Sequence, residues 1–159
     1  MATRYYLASS GSQPVSPAFD SWTDTTVGTI QKFPMATTKA GSAIQGTIYT
    51  TNANAEGNGS SVLFAQFVGP QIGSVNFNGT TFSTVAICDC TGGATWFLDV
   101  SVRLYHVGGT FTGLLAIAAS PGYDSAISSS AVSTRIVNAA SLANVTSTNN
   151  DRLVIEYRS

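Results

Sequence analysis

The chain has 159 residues, a net charge of −1 at pH 7 and only 9% charged side chains, against a typical share of about 25%. That length predicts one domain, large enough to bury a core without a disulfide scaffold. The seven basic residues are scattered as Arg4, Lys32, Lys39, Arg103, Arg135, Arg152 and Arg158, which argues against a phosphate-neutralising stripe and so against nucleic-acid binding.

The first residues, Met1 to Leu7, lack the apolar run of a cleaved export signal, so synthesis in the cytoplasm without export is expected. No stretch approaches the roughly 20 apolar residues of a membrane helix. Tyr5–Ala8 reads as a short strand. Ala8–Asp24 carries Pro14 and Pro17 among Ser and Gly and predicts an extended arm. The expected organisation is an arm over residues 1–24 and a single domain over 25–159.

Thr26–Phe33 is a second strand candidate. Ser42–Thr51 alternates Ile44, Gly46 and Ile48 against Gln45, Thr47 and Tyr49, and Asn52–Ser61 is a turn-rich loop. Val62–Val68 is an apolar run closed by Gly69-Pro70. Asn78-Gly79 makes a turn into a strand at Thr81–Cys88. The strongest signal is Thr95–Val107. Trp96, Leu98, Val100, Val102 and Leu104 fall on one face, and Phe97, Asp99, Ser101, Arg103 and Tyr105 on the other. That is the pattern of a long, half-buried antiparallel strand. Gly108-Gly109 turns it into a returning strand at Thr110–Ala118. Val132–Leu142 reads as a strand, with a short helix over Ser133–Ala143 as its rival. Arg152–Arg158 ends the chain with Leu153, Ile155 and Tyr157 on one face.

About eight strands separated by turn signals predict an all-β fold, an antiparallel β-sandwich of jelly-roll type with an extended N-terminal arm. The missing charge is replaced by Ser, Thr, Gly and Asn. Uncharged polar side chains suit a surface that meets another protein surface, because Lys and Glu are costly to desolvate.

Sites for chemistry are sparse. His106 is the one histidine. A Ser-His-Asp arrangement needs a carboxylate to orient it. Asp99, seven residues back, falls on the opposite face of the same strand, so an exposed strand-end histidine is expected. Cys88-Asp89-Cys90 lacks the second pair of a zinc site, and reduced thiols are expected there. An oxidised pair or a subunit-bridging metal is the alternative. The carboxylates Asp20, Asp24, Glu56, Asp89, Asp99, Asp124, Asp151 and Glu156 form no motif for paired acid–base work. Asp99 and Arg103 are expected as a weak surface ion pair, and Asp20 and Asp24 as turn caps. Gly57-Asn58-Gly59 lacks the Lys of a phosphate loop. Trp22, Tyr49, Tyr105 and Tyr123 would suit a sugar-stacking platform, though ordinary packing is the stronger expectation. The expectation is therefore no enzyme, no cofactor and no metal.

The opening A-T-R-Y-Y-L-A-S-S-G, followed by P-V-S-P-A-F-D-S-W at Pro14–Trp22, resembles the start of a group of tailed-phage virion proteins. The segment Val102–Val107 and the closing Asn150-Asp151-Arg152-Leu153-Val154-Ile155-Glu156 are similar too. Such proteins end on a G-D-R-L-x-x-E strand, and here Asn150 replaces the Gly. The resemblance implies a β-sandwich on the virion surface, made in the host cytoplasm. It would act as a capsid decoration (cement) protein that trimerises and clamps neighbouring major capsid subunits. A tail or fibre accessory protein that binds a host receptor or carbohydrate is the alternative. No catalytic residue carries over. Arg4, Tyr5, Tyr6 and Trp22 are the expected contact residues, since Arg and aromatic side chains anchor interfaces, and the arm at Met1–Phe19 is expected to reach a neighbour's sheet edge.

Overall fold

A computed structural model describes residues 3–8, 10–19, 30–39, 63–88, 95–96, 98–106, 108–109, 111–118, 127–128 and 133–158. For 86–88, 95–96, 111–118, 127–128 and 133–141 it describes the backbone alone. Ten strands and no helix occur among these residues. In chain order they are β1 (Tyr6–Leu7), β2 (Gln31–Ala36), β3 (Leu63–Ile72), β4 (Thr81–Cys88), β5 (Thr95–Trp96), β6 (Asp99–Tyr105), β7 (Phe111–Ala118), β8 (Ile127–Ser128), β9 (Ser133–Ser141) and β10 (Asp151–Arg158).

The main sheet runs β2-β3-β10-β6-β7, and β1 extends it at the end of β2. It is mixed, which corrects the purely antiparallel expectation. β2 runs parallel to β3, with Gln31 opposite Ala65 and Pro34 opposite Val68, while the other pairs are antiparallel. Pro34 sits inside β2, which lies outermost of these five strands, where a missing N–H breaks no interior ladder. This is why β2 continues past Phe33. β3 likewise runs through Gly69-Pro70. The register against β10 steps from Arg152↔Gln71 to Val154↔Val68, so a β-bulge absorbs the extra residue.

The long strand expected at 95–107 is two strands. β5 pairs with β8, whereas β6 lies between β10 and β7. The β6–β7 turn places Gly108 and Gly109 at φ +126° and +93°, which only glycine adopts readily. β4 has the expected bounds and pairs with β9, so the segment 133–141 is a strand and not the rival helix. The expected strand at 42–51 and loop at 52–61 lie outside the described residues.

Phe67, Val100, Val102, Leu104, Ile155 and Tyr157 form the core on one face of the main sheet. Phe67 meets Tyr157 edge to face at 5.8 Å. Phe82 of β4 packs on this cluster, and the Thr84 hydroxyl lies 2.5 Å from the Tyr157 hydroxyl, so β4 lies over the apolar face. The period-two reading placed Val100, Val102 and Leu104 correctly. It did not foresee that the other face of β6 is also sealed.

Candidate functional site

The second face of the main sheet carries a row of polar side chains across three adjacent strands. Glu156 of β10 is opposite Gln66 of β3 on one side and Ser101 of β6 on the other. All three are fully buried. The Gln66 amide donates to Glu156 Oε1 at 2.8 Å, and the Arg103 guanidinium donates to the same oxygen at 2.5 Å. At the end of the row, Arg158 pairs with Asp99 at 2.8 Å.

The segment 13–19 covers this row. The Gln13 amide donates to the Gln66 carbonyl at 2.9 Å, the Gln66 amide reaches the Pro17 carbonyl at 3.5 Å, and Arg103 donates to the Ala18 carbonyl at 3.0 Å. Phe19 lies under the Lys32 ammonium, 4.6 Å from ring centroid to nitrogen. These contacts correct the expectation for Asp99 and Arg103. Both are buried and each pairs with a residue of β10, because the arm turns a face that alternation marks as solvated into a second interior.

His106 is also corrected. It is not an exposed strand end. Its Nδ1 lies 2.5 Å from Oδ1 of the buried Asp151. The Asp151 carboxylate also accepts from the Thr148 N–H at 2.7 Å and the Thr148 hydroxyl at 2.9 Å. Burial pushes the Asp151 carboxyl up, but the His106 hydrogen bond, the two Thr148 bonds and the His106 charge outweigh it. The group is held below its ordinary value. Asn150 precedes it at φ +76°, a left-handed conformation that Asn tolerates and Gly prefers. The pair ties the end of β6 to the start of β10. A dyad of this type needs a nucleophile within hydrogen-bond reach to do acyl chemistry.

Of the residues expected at a contact, Arg4 is exposed and Tyr6 is half-buried in β1, opposite Ala36. Tyr5 packs on the core cluster, and burial raises its hydroxyl pKa. Trp22 lies outside the described residues, as do Asp20, Asp24, Tyr49, Glu56, Asp89, Cys90 and Tyr123. For Cys88 and Trp96 only the backbone is described. Among the described residues no three His, Cys, Asp or Glu side chains gather as metal ligands. No helix there is long and apolar enough to cross a membrane.

Two features were missed from the sequence. Gln66 lies inside the apolar run Leu-Phe-Ala-Gln-Phe-Val, and that interruption was the available signal for a buried polar group needing a partner. The other is the outer side of β4, where Thr81, Ser83 and Val85 are exposed in alternation and Val85 reaches 62%. No family model, no curated protein and no solved structure matches the chain.

Proposed function

We propose that this chain is a β-sandwich of jelly-roll type, with β4–β9 as its second layer, that binds other protein surfaces as a capsid decoration protein. It clamps neighbouring major capsid subunits, as a homotrimer, on the surface of a tailed-phage particle. The observation that carries a binding role is where the charge lies. The described acids, Asp99, Asp151 and Glu156, are all buried and paired with Arg158, His106 and Arg103. A chain with few charges thus places all three of its described carboxylates inside. The outer side of β4 is left uncharged, with a large apolar side chain in mid-strand. Such a surface loses little hydration on docking. The phage-like segments at both ends favour a capsid shell as the partner.

Mass action supplies the mechanism. A protein that binds the assembled shell and not its free subunits stabilises the shell, and each tenfold rise in its free concentration above Kd adds about 1.4 kcal/mol per site. The test is shell disassembly by heat or chelator at graded protein concentration. The disassembly midpoint rises with concentration under this reading. A midpoint that does not move rejects it.

A further inference from the structure

We propose that residues 13–19 form a releasable strap over the polar face of the sheet, opening while the apolar core stays closed. The proposal holds whether or not the chain binds a shell. The two faces of β6 are sealed in different ways. The apolar face is closed by Phe82 and Thr84 of a paired strand, β4. The polar face is closed by a segment with no strand pairing of its own, held through the carbonyls of Pro17 and Ala18, the Gln13 amide and the Phe19 ring.

The strap is held by few polar contacts. Among the described residues the strap is held to the row by the Gln13, Gln66 and Arg103 hydrogen bonds, and the Gln66 bond is long at 3.5 Å. Against them, Gln13 Oε1, Gln66 Oε1 and Ser101 Oγ are buried with no protein hydrogen-bond partner among the described residues, and each is open to water when the strap lifts. The ion pair and the amide hydrogen bond beneath do not depend on the cover. Arg103–Glu156 and Gln66–Glu156 run along the sheet between strands, so lifting leaves them made and adds hydration. Opening the other face would instead wet Val100, Val102 and Leu104, which nothing offsets.

Native-state thiol labelling tests this on the full chain, with Cys88 and Cys90 replaced by Ser. Ser101→Cys places a near-isosteric thiol in the polar row, and Val100→Cys places one on the opposite face of the same strand. The strap predicts that Ser101→Cys labels on the order of a hundredfold faster, at a rate insensitive to sub-denaturing urea. Adding Lys32→Ala, which removes the cation over Phe19, should speed Ser101→Cys about two- to fivefold and leave Val100→Cys unchanged. Equal rates with equal urea dependence, or no response to Lys32→Ala, would overturn the proposal. The unsubstituted chain gives an independent reading. Thermolysin should cut within 13–19 at a rate unaffected by sub-denaturing urea, and cleavage only at the rate of global unfolding overturns it.

Discussion

Glu156 is fully buried with Gln66 and Arg103 on one of its oxygens, so its charge depends on partners that solvent cannot replace while the fold is closed. Arg103→Met leaves that carboxylate buried without the opposing Arg103 charge, and should cost about 3–5 kcal/mol in urea unfolding. The double change Arg103→Met with Glu156→Leu should recover most of the loss, since an apolar pair of similar volume is often neutral or stabilising. A double variant as unstable as the single one would show that the row is needed for more than charge balance. Asp151 gives a pH prediction. Its folded pKa is depressed, so its contribution is present above the unfolded pKa and is lost as pH falls through the folded one. His106→Ala removes the bond and the charge that depress it, so acid unfolding followed by circular dichroism should begin at a higher pH. Alternation in the sequence assigned Asp99, Ser101 and Arg103 to the face opposite the core. What covers that face was not legible, because the cover comes from residues 13–19, about 85 positions away, through backbone carbonyls that carry no sequence signature.

At the scale of elements, β4 was legible because the Asn78-Gly79 turn and its β-branched residues mark it, and it kept its expected limits, whereas β9 was left between strand and helix until its pairing with β4 decided it. β2 and β3 were misjudged where Pro marked a stop. An outermost position and a bulge each accommodate Pro, and neither shows in a local window. The arm is part of the folded unit over its described residues. β1 pairs with β2 at Tyr6↔Ala36 and Leu7↔Met35, and Ala8 donates to the Pro34 carbonyl at 3.2 Å. Deleting residues 1–19 therefore uncovers the polar row and changes stability along with any contact. Point changes on exposed positions are the cleaner test. Val85→Lys should alter stability by no more than about 0.5 kcal/mol, as for other surface positions, while abolishing association with a partner that docks on β4. Unchanged association would remove β4 from the proposed interface.

At the scale of the molecule, the described residues place all three of their carboxylates inside. Ionic pairs lie within the sheet's second interior, and an exposed strand carries Thr, Ser and Val. Low charge was visible in the sequence, but its placement was not, since pairing across β3, β10 and β6 depends on strand order. The proposed role is that this surface fastens to a protein shell. Electron microscopy of purified particles, with the chain localised by labelled antibody or by difference against particles lacking it, tests this role. Density is expected on the capsid surface, repeated at local three-fold positions between major capsid subunits. Particles without the chain, or density confined to the tail or fibres, would contradict it.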